Sequence, residues 1–377
     1  MFSTLATMLT GSTSASTRES IIRVGPRHLT KTLEQAAALA NDGDTFEVEA
    51  GEYRGDVAIW NKKNITLTAI GGRVKLLADG LSAEGKGIFV LRGGHMTIEG
   101  FDFSGAQVPD QNGAGIRLEN GTLTVVDCTF SKNQNGMLVN NNPKIELNIV
   151  NCEFHHNGHG DGQSHNLYVG SIGRLSVSGS YFHHAKVGHL IKSRAAINHI
   201  FYNRLTDEPG GSASYELEFA SGGIAYVVGN IIAQSAQTEN PHIISFGAEG
   251  YEWPNNELYL VNNTLIDNRT QGGVFLRVKP QNVTVKAINN LLVGRSKLEA
   301  AGPGDYRNNF TVDWNEFALA AREDYRLIRS SKLLGKAIDA GMAHGQSLMP
   351  THDYAHPKHT ISLMGPARHP GALQTLA

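Results

Sequence analysis

Seven stretches decide the fold: TVVDCTF (124–130), NIVNCEF (148–154), SVSGSYF (176–182), HIFYNRL (199–205), YVVGNII (226–232), YLVNNTL (259–265) and KAINNLL (286–292). Each alternates apolar residues, passes a small polar pair, and resumes with an apolar residue. Alignment puts Cys128, Cys152, Ser180, Asn203, Asn230, Asn263 and Asn290 in one column. The spacings, by subtraction of positions, are 24, 28, 23, 27, 33 and 27 residues. Phe101 in GFDF extends the column backwards and Asn309 in YRNNF forwards. A period of this length, built from short strands with side chains alternating in and out, predicts stacked coils of a parallel β-helix. Like residues then lie over one another about 4.8 Å apart, and stacked Asn side chains can bond along the stack. The two cysteines share that column and read as small buried fillers of it, not as a disulfide.

A second strand follows each bend: AGIRLEN, GMLVNN, HNLYVGS, HLIKSRA, YELEFAS, HIISFG and VFLRVKP. Loops of uneven length, such as EFHHNGHGDGQSH and LTDEPGGSAS, join the two sets. At the N-terminal side, LTKTLEQAAALANDGD (29–44) has apolar residues at helical spacing, and GDTFEVEAGEYRG (43–55) reads as the first strand. A short helix there would cap the open end of the core. The expected organisation is a leader over 1–20, an all-β, single-domain right-handed parallel β-helix over 21–312 with its capping helix near 30–41, and an irregular tail over 313–377 that wraps the other end.

Composition narrows the function. Net charge is −2, which argues against a broad nucleic-acid surface. No apolar run is long enough to span a membrane. Two cysteines make neither a disulfide framework nor a four-ligand zinc site.

The stretches LEQAAALANDGDTFEVEAGEYRG (33–55) and DYRLIRSSKLLGKAIDAG (324–341), with the repeats of 87–310 between them, resemble the pectate-lyase-like β-helix superfamily. That resemblance implies the fold and a carbohydrate-active role. It assigns no single activity, because one fold hosts many. It also implies a secreted or periplasmic protein.

Candidate site residues come from the second set of strands. Leu167, Ile191, Leu217, Ile244 and Leu276 align as inward positions, so Tyr168, Lys192, Glu218, Ser245 and Arg277 should face outward, with Arg117 further along the same face. Arg194 and Glu216 extend this wall. Eight of the 16 His lie between 155 and 199, and His165 and His189 open successive strands, where they should stack. The reading is a groove for an acidic, uronate-containing polysaccharide. In β-elimination a base takes the proton α to the carboxylate, cations hold the enolate charge, and an acid protonates the leaving oxygen. Lys192 is the expected base, with Arg194 on the carboxylate and Tyr168 or His189 as acid. If Glu216 and Glu218 neutralise the two cations, His189 becomes the better base. His165, Asn166, Glu216, Glu218, Arg117, Arg277 and Trp253 are expected substrate contacts.

Two rival readings remain open on the residues. A glycoside hydrolase would use Glu216 and Glu218, about 6.5–7 Å apart along a strand, with Asp207, Glu208 or Asp161. A non-catalytic polysaccharide-binding solenoid would use Trp253 as a platform. A divalent cation could be held in HHNGHGDGQSH by imidazoles and Asp161. No spacing there matches a ligand signature, so no metal residue is assigned.

Overall fold

The computed structural model describes residues 20–298 and 304–377; the expected leader lies, apart from Ser20, outside them. Two parallel sheets wind around one core. A long sheet of 21 strands carries two strands per coil, and a second sheet of nine strands carries one. We call the latter the groove sheet. Its last seven strands are Ala114–Leu118, Asn135–Val139, Leu167–Val169, Ile191–Ser193, Leu217–Phe219, His242–Phe246 and, at the edge, Val274–Val278, paired in that order.

The bend in the long sheet falls at the Cys/Ser/Asn column. The Asn203 amide N–H donates to Asn230 Oδ1 at 2.8 Å, Asn230 N–H to Asn263 Oδ1 at 2.9 Å, and Asn263 N–H to Asn290 Oδ1 at 2.9 Å. Each side-chain amide also donates to the next Oδ1 at 3.1 Å. Asn309 receives the last of these bonds, and Ser180 Oγ and Cys152 Sγ take the same acceptor place earlier. Cys128 and Cys152 are free, buried thiols of this ladder. Every coil thus satisfies the bend's otherwise orphaned N–H from the coil above, which matters because a buried unpaired donor costs about 1–3 kcal/mol.

Beside the ladder, Phe103, Phe130, Phe154 and Phe182 form a face-to-face stack with centroids 5.0, 4.5 and 4.5 Å apart. All four are fully buried. Burial of each ring contributes about 1.5–3 kcal/mol.

Two details differ from the sequence reading. The first strand is Ile21–Val24, which precedes the capping helix and pairs with Thr45–Arg54. The helix, Leu33–Leu39, is capped by Thr32 and by Asp56, whose carboxylate accepts from the Leu33 and Glu34 N–H groups. The tail, expected over the C-terminal end, runs back along the flank of the long sheet. Gly371 N–H bonds Asn289 O, Thr351 N–H bonds Tyr202 Oη, and Lys358 reaches Asp127 at 2.9 Å. The reason is apolar: Ile231, Ile266, Leu291 and Val293 point outward there and are covered by Phe317, Tyr325, Tyr354 and Ala372.

Candidate functional site

Strand pairing places Arg117, Leu138, Tyr168, Lys192, Glu218, Ser245 and Arg277 in one outward column of the groove sheet. Lys192 Nζ lies 2.8 Å from Glu249 and 3.3 Å from Glu218. Arg194 grips both carboxylate oxygens of Glu249 at 2.8 Å, a bidentate contact, and its guanidinium stacks 5.0 Å from the Tyr168 ring centroid. Trp253 donates its indole N–H to Arg194 O at 2.9 Å and stays half-exposed at the rim.

Glu249 is the residue that the sequence reading missed. It sits on the loop after His242–Phe246, 55 positions from Arg194. It does the neutralising work expected of Glu216. Burial raises the Glu249 carboxyl, but hydrogen bonds from Arg194 and Lys192 outweigh this and hold it down at about 2. Glu218 follows the same pattern. Burial raises it, and the contacts of His189 and Lys192 hold it below the usual range.

His189 Nε2 lies 3.1 Å from Glu218, which makes Nε2 the protonated nitrogen and Nδ1 the free lone pair. Nδ1 has no partner. Burial depresses the His189 imidazole, and Glu218 only partly restores it, so the ring is neutral at neutral pH.

His189 stacks on His165 at 4.4 Å, as the alignment predicts. His165 itself is enclosed, and its Nδ1 accepts the His189 N–H at 2.9 Å. Asn166 is likewise fully buried. It ends an inner ladder with Asn133 and Asn157 and holds the Phe154 and His183 carbonyls. Glu216 is also fully buried, and both its carboxylate oxygens lack partners. Burial and repulsion from Asp207 and Asp267 raise its carboxyl well above the usual range. These three expected substrate contacts are therefore corrected to interior positions. Strand alternation fails as a guide where the chain turns into the strand at 215–217. With Glu216 inside, the Glu216/Glu218 pair cannot straddle a glycosidic bond. Arg117 and Arg277 remain on the wall, bonded to Asn140 and Tyr215.

Next to Tyr168 the groove widens into a cavity of about 600 Å³. Asp110, Asn112, Asn140, Asn141, Asp161 and Gln163 are among its lining residues, with Arg117 and Tyr168. Lys192 and Arg194 stand beyond Tyr168, not in the lining. The amide-rich walls come from loops VPDQNG and GHGDGQSH and from Asn140 and Asn141, which follow the strand Asn135–Val139.

A family profile described as "right handed beta helix region" matches residues 41–171. The chain is a right-handed parallel β-helix. The structure is similar to that of pectate lyase Pel9A, with a TM-score of 0.54 over 94% of this chain and 97% of that one, at 13% sequence identity. A PL6 family polysaccharide lyase from Pseudopedobacter saltans aligns with a TM-score of 0.36, at 15% identity, over 85% of this β-helix chain and 99% of its own. At 13% identity the likeness to Pel9A is one of fold. No curated protein matches the sequence. Among the described residues no helix is long and apolar enough to cross a membrane.

Proposed function

We propose that this β-helix protein is a lyase that cleaves an acidic, uronate-containing polysaccharide by β-elimination, outside the cell or in the periplasm. One observation carries the reading: Lys192 and Arg194 already hold a carboxylate, that of Glu249, in bidentate geometry on the groove face. Glu249 arrives on a half-exposed loop, so a uronate carboxylate can take its seat. The amide-lined cavity beside Tyr168 supplies hydrogen-bond partners for neighbouring sugar hydroxyls.

In the reaction the Arg194 guanidinium holds the carboxylate and stabilises the enolate formed as the α proton leaves. Lys192 takes that proton. For this the substrate carboxylate must displace Glu249 from Lys192. The C–O bond to the leaving sugar then breaks, Tyr168 protonates the departing oxygen, and a C=C bond remains on the new non-reducing end. In a second version His189, oriented by Glu218, is the base and Lys192 only binds; its partnerless Nδ1 is buried, so the ring must first be uncovered toward the groove.

Incubation with a panel of uronate polymers, read in parallel by ultraviolet absorbance of unsaturated ends and by reducing-end assay, tests the reading. Both signals should rise together. Reducing ends without the double bond would replace it with a hydrolase, and retained binding without cleavage with a binding solenoid.

A further inference from the structure

The densest unassigned chemistry lies on the flank of the long sheet, where the loops toward the groove begin. Two His-His pairs, His155-His156 and His183-His184, occupy the same register on successive coils. His155 stacks on His183 at 5.0 Å and His156 on His184 at 4.7 Å. Within each pair the two Nδ1 atoms face one another, at 2.8 Å and 2.6 Å. His156 and His184 adopt left-handed backbone, φ 55° and 47°, which turns each ring back onto its neighbour.

Stacking alone explains parallel rings, since columns of like rings are common to solenoids. Within each pair an Nδ1···Nδ1 hydrogen bond draws two nitrogens together. One ring nitrogen from each of His156, His183 and His184 lies within 4.8 Å of the other two. His183 Nε2 contacts Glu153 Oε1 at 3.2 Å. That carboxylate fixes the Nε2–H tautomer and leaves Nδ1 as a lone pair, the second-sphere arrangement that orients metal-bound imidazoles. With His183 Nδ1 as acceptor, His184 Nδ1 is the donor of the 2.6 Å bond, and a bound ion would replace that proton.

The geometry points to a binding site for a divalent transition ion, formed by His156, His183 and His184 and oriented by Glu153. Imidazole nitrogens select zinc, cobalt, nickel or copper over calcium or magnesium, which prefer oxygen. Tetrahedral ligation at about 2.0–2.1 Å sets ligand nitrogens about 3.3 Å apart. The His183–His184 pair therefore opens by less than an ångström on binding. Solvent reaches the His156 and His184 side, which leaves a fourth position for water. The site uses no groove residue, so its test is independent of lyase activity.

Untagged full-length protein, stripped with chelator, is titrated with cobalt(II) alone and then with zinc(II) in competition. The expected result is one equivalent bound, with the intense visible bands of low-symmetry cobalt and their loss on zinc addition. His156→Ala and His184→Ala should each weaken binding at least tenfold with unchanged circular dichroism, and Glu153→Gln should weaken it in the same direction. His199→Ala, outside the cluster, should change nothing. Binding weaker than about millimolar, or equal in wild type and both His variants, would reduce the cluster to a ring stack. If either His variant unfolds, Glu153→Gln and the wild-type cobalt spectrum still decide.

Discussion

The bend ladder and the groove column are built alike and behave oppositely. Both place one residue per coil in a line along the solenoid. In the ladder, Asn203, Asn230, Asn263 and Asn290 are identical, and each amide is donor to one neighbour and acceptor for the other. In the groove column, Tyr168, Lys192, Glu218, Ser245 and Arg277 all differ, and Lys192 is met both by Glu218 within the column and by Glu249 from a loop. Repetition satisfies the backbone, whereas its absence at matched positions leaves side chains free for a ligand.

The comparison predicts that a groove variant loses activity and keeps stability, while a ladder variant does the reverse. The largest effect is expected for Lys192→Ala. As base, Lys192 accounts for about 10²–10⁴-fold of rate, measured as kcat on the polymer identified by the screen. Its thermal midpoint should hold, because Glu218 keeps His189. A fall in binding alone would transfer the base role to His189. The pH profile checks this: a His189 base, its imidazole depressed by burial, gives activity that has reached its plateau by neutral pH.

Asn230→Ala should be the converse case. It removes the acceptor of the Asn203 N–H and the donor to Ile200 O. The expected cost is about 2–4 kcal/mol, since buried groups are left unpaired. Denaturant unfolding measures it, and a loss under about 1 kcal/mol would mean that the stack does not share its bonds as described.

Asp207 tests the interior that neither column organises. Burial raises its carboxyl to about 7, and Oδ1 has no partner. The folded chain therefore holds this proton more tightly than the unfolded chain, and stability falls as pH rises from about 4 to 7. Asp207→Asn keeps an acceptor for the Ala213 N–H and removes the charge. It should stabilise the protein at pH 8, by about 1–3 kcal/mol, and leave it unchanged near pH 4. Equal stabilisation at both pH values would show that charge is not the cause.

The smallest effect is expected at Glu249. Glu249→Gln empties the carboxylate seat of its negative charge, so KM for an anionic polymer should fall a few-fold with little change in stability. A rise in KM would instead make Glu249 a positioning residue for Lys192 and Arg194.

The solenoid, its bend column and its capping helix were legible because each depends on residues near in sequence: apolar alternation, Asn at a fixed offset, apolar residues at helical spacing. The outward column was legible for the same reason, since a parallel register repeats once per coil. His165 and Asn166 were misplaced because local alternation holds only within a strand, and both lie before the strand starts at Leu167. The direction of the tail depended on an outward apolar face made by Ile231, Ile266, Leu291 and Val293, residues of separate coils.

The sequence by itself therefore determined a right-handed stack of coils and a wall carrying Lys192 and Arg194. Only the tertiary structure decided what that wall touches. Glu249 closes on Lys192 and on Arg194, 55 residues away, Glu216 turns inward without a partner, and three His from two coils bring one ring nitrogen each within 4.8 Å of the others. Strand periodicity fixes which way a side chain points, but loops bring charges together through space. That juxtaposition depends on loop paths for which no residue pattern codes.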